Sequence, residues 1–226
     1  MQLVLIKFLL LFVTATALPV SLFRWLPPPT STFMLYRHYQ DWVEKSEVKA
    51  IEYHWVPAQD ISLNAYKAVI ASEDQRFFKH AGFDFNAIQA SIDHYKDGGK
   101  LRGASTISQQ VAKNLFLTPA KNLIRKAMEA WFTLLIESFW SKQRILQTYL
   151  NIAEFGDHLF GIEAASRHYF GISAKHISPD QAALLAATLP NPMLLKAEKP
   201  SAYVHKRQRW ISYQMRLLDV GGISTN

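Results

Sequence analysis

The chain has 226 residues, of which 49% are apolar, a length and composition that suffice for one domain with a buried core and argue against extensive disorder. It contains no cysteine, which excludes disulfides and thiolate chemistry. The formal net charge of +7 favours anionic partners, but charge alone does not distinguish phospholipid head groups, a diphosphate and nucleic acid.

The chain begins with an apolar segment that is long enough to cross a bilayer. Residues 3–23 are mostly apolar and are interrupted by Lys7, and about 20 such residues span the hydrocarbon core. We therefore predict a transmembrane anchor over residues 1–26. A cleaved secretory signal is the alternative, because Ala15 and Ala17 resemble the small-residue pattern before a cleavage site. Charged residues on both sides of the segment leave its orientation undecided.

A proline-rich segment follows the anchor. Three consecutive prolines, Pro27 to Pro29, end a helix and form a stiff spacer. We assign residues 27–56 to a juxtamembrane linker and domain entry, and residues 57–226 to the main domain. Aromatic residues between positions 33 and 55 show no clear period. Packing on the domain is the favoured interpretation, and contact with the membrane interface is the alternative.

Beyond Pro57 the pattern is mainly helical. Apolar residues at three-to-four spacing predict a helix that ends near Glu73 and partly shelters its carboxylate. Asp84 is a candidate N-cap of a second helix, which stops at a Gly-Gly pair. Residues 100–104 are then predicted to form a mobile loop.

Further helices follow in the second half of the chain. Ser105 or Thr106 is expected to cap one helix, a longer helix is predicted over residues 122–140, and another over 142–153. Ser178, followed by Pro, opens an apolar helix. Long alternating strand patterns are absent, so we predict a mainly α fold in a single domain. The residues predicted to face inward from the long helix are Leu123, Trp131, Leu134, Leu135 and Phe139.

Three polar blocks carry the chemistry, at residues 73–80, 103–114 and 125–129. Two acids, Glu73 and Glu129, bracket a dense set of cations and amides in these blocks. Carboxylates move protons or stabilise a cationic sugar, whereas Lys and Arg neutralise a departing phosphate. Both groups together indicate sugar transfer from a phosphate-linked donor, because cleavage of an ordinary glycosidic bond would need only the acids.

These blocks resemble the signature motifs of the peptidoglycan glycosyltransferases, glycosyltransferase family 51. Residues 142–156 and 182–192 resemble further segments of the family in the same order. The resemblance implies a lysozyme-like helical domain behind an N-terminal transmembrane helix. Because the chain ends soon after the matching region, we expect a stand-alone, monofunctional biosynthetic transglycosylase without a penicillin-binding transpeptidase domain.

The resemblance implies that the protein polymerises lipid II into glycan strands, with inversion at the anomeric carbon and release of undecaprenyl diphosphate. Glu73 is then the base that deprotonates the acceptor hydroxyl, and Glu129 is a second catalytic carboxylate. Spacing alone would instead pair Glu73 with Arg76 or Lys67 on its own helix, and would make Glu129 an exposed ion-pair partner. Asp74 is expected to orient its neighbours.

The groups around the two acids are candidate substrate ligands, each with a solvated surface position as the alternative. For Ser105 and Thr106 plain helix capping is an equal alternative. Lys121 stands where the family usually has Arg, and Lys lacks the bidentate guanidinium fork. The candidate substrate-binding residues are Lys113, Arg125, Lys126, Gln109, Gln110, Asn114, Ser105, Thr106, Lys121 and Arg102.

Cofactors and partners follow from the resemblance. It implies a divalent cation, Mg²⁺ or Mn²⁺, with Glu129 as a candidate ligand, although the residues themselves require none. His80 lacks metal-ligand spacing and is interpreted as a structural hydrogen-bonding residue. The expected partners are lipid II, the lipid-linked glycan chain, membrane lipids and other cell-wall synthesis or division proteins, but not nucleic acid. The expected location is the inner membrane, with one span and a periplasmic catalytic domain.

Two other functions are considered. A membrane-anchored, lysozyme-like muramidase would use the same fold and acids, but it does not explain the cations around Lys113 and Arg125. A catalytically silent cell-wall scaffold protein would require neither Glu73 nor Glu129. A muramidase assay distinguishes the first alternative from sugar transfer.

Overall fold

The computed structural model describes residues 1–45, 47–99, 103–120 and 122–218. Within these ranges the fold is mainly α, which confirms the predicted fold class. The helices are α1 (Gln2–Phe23), α2 (Thr32–Val43), α3 (Leu63–Glu73), α4 (Phe85–Lys96), α5 (Ile107–Phe116), α6 (Leu123–Phe139), α7 (Lys142–Ile152), α8 (Ile162–Phe170), α9 (Pro179–Thr188) and α10 (Ala202–Leu217).

A small mixed sheet accompanies the helices. Its strands are β1 (Glu52–Tyr53), β2 (Glu154–Gly156) and β3 (Leu159–Phe160), in the order β1-β3-β2. Strand β1 is parallel to β3, and β2 is antiparallel to it. The sequence pattern predicts no strand here, because two or three residues are too few to show an alternation. The sheet ties the juxtamembrane segment to the end of α7.

Side-chain capping defines the predicted helix starts. The Thr106 hydroxyl accepts a hydrogen bond from the backbone N–H of Gln109, whose side chain accepts one from the Thr106 backbone N–H. Ser178 and Gln181 form the same capping box at α9. Asp84 caps α4. Each cap satisfies N–H groups that lack a partner in the first helical turn, so these local signals place the starts correctly.

The hydrophobic core lies between α3, α5, α7 and α9, and α10 closes it against α3 and α9. Burial of one large apolar side chain contributes about 1.5–3 kcal/mol, so this set of helices supplies most of the driving force. The packing brings the end of α3 next to the start of α5. The largest fully buried side chains include Tyr66, Tyr149, Phe77, Phe155 and Phe160.

The predicted inward face of α6 is wrong in part. Leu123 is 88% exposed, and Leu134 and Phe139 are also exposed, whereas Trp131 and Leu135 are partly buried. Apolar residues occur on more than one side of α6, because one side packs on α5 and another on α1. Spacing alone cannot choose among such faces. The residues that α6 buries are Glu129, Phe132, Thr133 and Ile136.

Helix α1 is long and apolar enough to cross a membrane, and it fits a single-pass anchor. Its second half packs on the domain. The indole N–H of Trp131 donates to the Thr16 hydroxyl at 3.1 Å, and that of Trp140 donates to the Val20 carbonyl at 2.7 Å. Arg144 donates to the Phe23 carbonyl at the end of α1 through Nε and Nη2, and burial lowers the pKa of its guanidinium to about 10. The second half of α1 is therefore docked on the domain.

Helix α2 was not expected from the irregular aromatic pattern. Its inner side is held by ion pairs, in which Arg37 contacts both carboxylate oxygens of Glu154 at 2.6 and 2.8 Å. Near its other end, His158 lies 3.0 Å from Asp41. These partners are more than 100 residues away in sequence, so no local pattern predicts the contacts.

The aromatic residues of the domain entry divide into two groups. Tyr53 and Trp55 are partly buried on the domain, in agreement with the favoured packing interpretation. Tyr39 and Trp42 on α2 are 55% and 72% exposed, so packing is wrong for these two. The difference arises because α2 turns one face inward, while β1 places its residues within the sheet.

Candidate active site

Glu73 is the last residue of α3, and its side chain is 13% exposed. This partial shelter agrees with the helical pattern. One carboxylate oxygen accepts a hydrogen bond from the Gln110 amide at 3.0 Å, and the other lies 3.4 Å from the Arg207 guanidinium. Within the described residues, neither Arg76 nor Lys67 forms the ion pair that spacing alone suggests. The neighbouring Ser72 hydroxyl also donates to Glu73 at 3.2 Å, so an amide, a hydroxyl and one cation of the described residues hold the carboxylate.

A second layer fixes the amide that contacts Glu73. The Tyr149 hydroxyl donates to the Gln110 amide oxygen at 3.2 Å. Burial raises the pKa of the Tyr149 hydroxyl well above its ordinary value, so the hydroxyl keeps the proton that it donates. The Gln110 nitrogen is therefore left to face Glu73. Sequence reasoning missed Tyr149 and Arg207, and the helices that carry them give no local signal of proximity to Glu73.

Asp74 follows Glu73 and points away from it. It accepts a hydrogen bond from the first backbone N–H of α5, at Ile107, at 3.1 Å. Its oxygens also lie 3.0 and 3.1 Å from the His80 ring nitrogen Nε2. Asp74 therefore links the end of α3 to the start of α5, as expected for an orienting residue, and His80 takes part as a hydrogen-bonding group.

The side chains of Asp74, His80 and Asp84 have potential ligand atoms within 4.8 Å of one another, which would suit a metal ion by distance. Sequence spacing did not reveal this cluster, because a turn brings its members together. Its two carboxylates already have partners: Asp84 accepts the Ala87 backbone N–H at 3.0 Å and lies 3.3 Å from Arg76, and Asp74 accepts the Ile107 N–H, whereas the His80 nitrogen Nδ1 is buried without a partner among the described residues. The cluster acts as a structural link between α3, α4 and α5.

Glu129 lies on the buried face of α6, and its side chain is only 4% exposed. One oxygen is 2.6 Å from the Arg125 guanidinium, and the other contacts the Lys126 ammonium. The alternative predicted from spacing, an exposed Glu129 paired with Arg125 or Lys126, is wrong about the exposure of Glu129 but correct about the ion pairs. A third cation, Lys113 on α5, interacts electrostatically with Glu129. Three cations therefore surround one carboxylate, and the cluster carries a net positive charge.

This environment does not fit a divalent cation on Glu129. Both carboxylate oxygens are engaged by Arg125 and Lys126, whereas Mg²⁺ or Mn²⁺ would need free oxygen ligands. The positive charge of the cluster would also repel a further cation. The candidate metal role of Glu129 is therefore not supported by the residues present.

Lys113 is a partly buried cation of the cluster. Burial lowers the pKa of its ammonium, and the positive charges of Arg125 and Lys126 lower it further, against the opposing effect of Glu129. Its nitrogen lies 5.4 Å from the centre of the Phe33 ring of α2. A diphosphate placed here would supply the countercharge that the cluster lacks.

The amide and hydroxyl candidates differ in their availability. Thr106 is buried and donates to the Gly82 carbonyl at 2.6 Å in addition to capping α5, whereas Ser105 is exposed and caps no helix. Gln109 uses its amide oxygen in the cap, which leaves its nitrogen for a ligand. Asn114 has a buried amide oxygen without a partner among the described residues. Ser105 and Asn114 therefore keep free polar atoms.

Two neighbouring cavities join the Glu73 side of the site to the Lys126 side. A cavity of about 260 Å³ is lined by Glu73 and Arg76, and another of about 390 Å³ by Gln109 and Lys126. Residues 103–105 line both cavities, so the two cavities adjoin each other. The candidates Arg102 and Lys121, and most of the predicted loop 100–104, lie outside the described residues.

A cleft with a partly sheltered carboxylate on one side and a cation cluster on the other is typical of enzymes that transfer sugars from phosphate-linked donors. A family model described as Transglycosylase matches residues 41–216, most of the chain. The chain belongs to this transglycosylase family, whose domain is lysozyme-like.

Individual relatives are similar over nearly the whole chain. A protein named "Biosynthetic peptidoglycan transglycosylase" from Pasteurella multocida is 53% identical over 211 residues, which are 93% of this chain and 84% of the relative. Proteins of the same name from Pseudomonas fluorescens and Ectopseudomonas mendocina are each 50% identical over 214 residues. These matches cover 95% of this chain and 89% and 88% of the two relatives.

Proposed function

We propose that this protein is a peptidoglycan glycosyltransferase that polymerises lipid II into glycan strands and releases undecaprenyl diphosphate. The names of its relatives support this function. The observation that carries it is the pairing of unlike carboxylate sites on one cleft: Glu73 beside open space, and Glu129 buried among cations.

In the proposed step, Glu73 removes the proton from the acceptor sugar hydroxyl. The hydroxyl oxygen attacks the anomeric carbon of the donor, and the bond from that carbon to the diphosphate oxygen breaks. The electron pair of the broken bond leaves with the diphosphate, and the proton stays on Glu73 until water takes it. Attack from the face opposite the leaving group inverts the anomeric centre.

The cation cluster has the complementary role of receiving the leaving group. Lys113, Arg125 and Lys126 neutralise the diphosphate as its negative charge grows, which lowers the barrier to departure. Glu129 contacts Arg125 and Lys126 and holds both side chains in place. It acts near the reacting atoms as a second carboxylate, without taking the proton.

Polar side chains near the two acids are proposed to bind the sugars. The exposed hydroxyl of Ser105 suits a sugar hydroxyl, Asn114 stays a candidate sugar ligand as well, and Gln110 holds Glu73. Gln109 and Thr106 shape the start of α5, and Gln109 keeps one amide nitrogen for a ligand. Arg102 and Lys121 remain candidate phosphate ligands.

The proposed location is the inner membrane, with α1 as a single span and the catalytic domain in the periplasm. Residues 1–26 then form the anchor, 27–56 the linker and 57–226 the glycosyltransferase domain. Both substrates are lipid-linked, so confinement to the bilayer surface raises their effective concentration at the site. Membrane lipids and other cell-wall synthesis or division proteins are the proposed neighbours.

The test uses the purified full-length protein in detergent with labelled lipid II, and the products are separated on a gel. A glycan ladder that disappears with the inhibitor moenomycin is the expected result, and parallel reactions with Mg²⁺, Mn²⁺ and chelator define the cation requirement. Cleavage of preformed glycan without polymerisation would indicate the muramidase. Unchanged lipid II in every detergent and cation condition would favour the scaffold protein.

A further inference from the structure

Helix α2 has one side fixed to the domain and the opposite side open. On the fixed side, Met34 is buried, Arg37 pairs with Glu154, and the Thr32 hydroxyl donates to the Leu115 carbonyl at 2.9 Å. On the open side, Leu35 and Tyr39 are both more than half exposed. A helix held this firmly presents its open side in a defined position.

The open side of α2 borders an apolar groove. Residues 118–120 form the opposite wall, and together the walls enclose about 430 Å³. An adjoining cavity shares Tyr36 and Ala120 with this groove and extends it to Phe33. The residues that line the groove are Thr32, Leu35, Tyr36, Tyr39, Thr118 and Ala120.

The groove starts next to the cation cluster. Phe33, at the start of α2, lies 5.4 Å from the Lys113 ammonium and also lines the cavity that joins the groove. A ligand with its diphosphate on Lys113, Arg125 and Lys126 would therefore have the next part of its structure beside Phe33. In a lipid-linked sugar diphosphate, that next part is the isoprenoid chain.

The groove also lies close in sequence to α1, the proposed membrane span. Only residues 24–31 separate the end of α1 from the start of α2, and eight residues reach at most about 28 Å when fully extended. The segment is not fully free, because the Tyr53 hydroxyl donates to the Pro28 carbonyl at 2.8 Å. An isoprenoid chain that emerges from the bilayer beside α1 can therefore enter the groove.

We propose that the groove between α2 and residues 118–120 binds the isoprenoid chain of the lipid-linked diphosphate substrate. Tyr36 and Tyr39 offer aromatic faces, and Leu35 offers branched apolar surface, which match an unsaturated, methyl-branched hydrocarbon. The inference rests on the proposed function. It assigns α2 a direct role in substrate binding, beyond that of a linker.

The test compares lipid II carrying its full-length isoprenoid chain with lipid II carrying a shortened chain. The double variant Leu35→Ser with Tyr39→Ser removes apolar surface from the groove at exposed positions, so thermal melting should show an intact fold. In the double variant, the ratio of KM for lipid II with the full-length isoprenoid to KM for lipid II with the shortened isoprenoid should rise about tenfold over the ratio in the native protein. Trp42→Ser is the matched control, since Trp42 is exposed on α2 but does not line the groove.

The outcomes separate this inference from the proposed function. An unchanged KM ratio in the double variant, with polymerisation intact in the native protein, would overturn the groove assignment alone. Equal rises for both substrates in the double variant and in Trp42→Ser would indicate that α2 rests on the bilayer, and would also overturn it. Failure of the native protein to polymerise either substrate would instead reject the proposed function.

Discussion

The two carboxylate sites differ in how firmly each acid is held. Glu73 accepts hydrogen bonds from the Gln110 amide and from the hydroxyl of its neighbour Ser72, has one guanidinium at 3.4 Å among the described residues, and faces an open cavity. Glu129 is buried and has a close cation on each of its two oxygens. Both residues are glutamates in motifs of similar polarity, so the surrounding helices create the difference.

This difference indicates two kinds of work. A carboxylate with few contacts and access to a cavity can take and return a proton. A carboxylate that contacts a cation with each oxygen instead keeps those cations in position. Substitutions should therefore separate proton transfer at Glu73 from charge organisation at Glu129.

The largest expected effect on activity is that of Glu73→Gln. The amide keeps the shape of the side chain but cannot accept the proton, so kcat for glycan formation should fall by about 10²–10⁴-fold. Thermal melting should change little, because the side chain is not at the centre of an ion cluster. Full polymerase activity in the purified variant would refute the base assignment.

Glu129→Gln should affect both activity and stability. It leaves the largely buried Arg125 and the half-exposed Lys126 without their countercharge. Breaking a fully buried pair costs about 3–5 kcal/mol of unfolding free energy, and solvent around Lys126 should keep this loss at or below the lower end of that range. Denaturant unfolding in detergent measures this loss, and the polymerisation assay should show lower activity. Equal stability of Glu129→Gln and Glu73→Gln would contradict the proposed division of roles.

Arg207→Ala tests the cation that lies nearest Glu73 among the residues that the structure describes. Its loss removes a charge-assisted contact, and kcat should fall by about tenfold to a hundredfold with a smaller change in KM. Arg207→Lys should recover part of the rate. Arg209→Ala provides the control on the same helix, since Arg209 is exposed and lines a different cavity. A similar loss in both alanine variants would point to a general effect on α10.

Lys113 should give the activity an alkaline limit. Burial lowers the pKa of its ammonium from 10.5, so the charge that binds diphosphate is lost as pH rises through this lowered value. We expect kcat/KM to fall at lower pH than an exposed lysine would produce, and Lys113→Arg to move this limb upward. An identical alkaline limb in Lys113→Arg would exclude Lys113 as its source.

The same shift has a consequence for stability. Between the lowered native pKa and 10.5, the unfolded chain binds more protons at Lys113 than the folded chain does. The contribution of this group to the free energy of unfolding therefore increases with pH in that window. Denaturation of the native protein and Lys113→Met across the alkaline range measures the difference.

The smallest expected effect is that of Lys126→Ala. Its side chain is half exposed, and Glu129 keeps its contact with Arg125 in the variant. KM for lipid II should rise only about two- to fivefold, because solvent weakens the contribution of an exposed ion pair. Arg125→Ala, at a more buried position, should have the larger effect. The reverse order would place the diphosphate closer to Lys126 than proposed.

Local sequence signals predicted much of the helical framework. The caps at Thr106, Asp84 and Ser178 lie where the sequence indicates them, because each depends on contacts within a few residues. Helix α2 and the short strands were missed, since ion pairs and pairing with distant residues stabilise them. The inward face of α6 was partly wrong because two neighbours cover different sides of it.

By itself, the sequence determined the mainly α class, the apolar N-terminal span and the chemical types present in the site. Only the tertiary structure decided that Arg207 and Tyr149 belong to the Glu73 site, and that Glu129 is buried among cations rather than exposed. The reason is physical: helix periodicity and capping act within a few residues, whereas burial and charge pairing depend on which helices pack together.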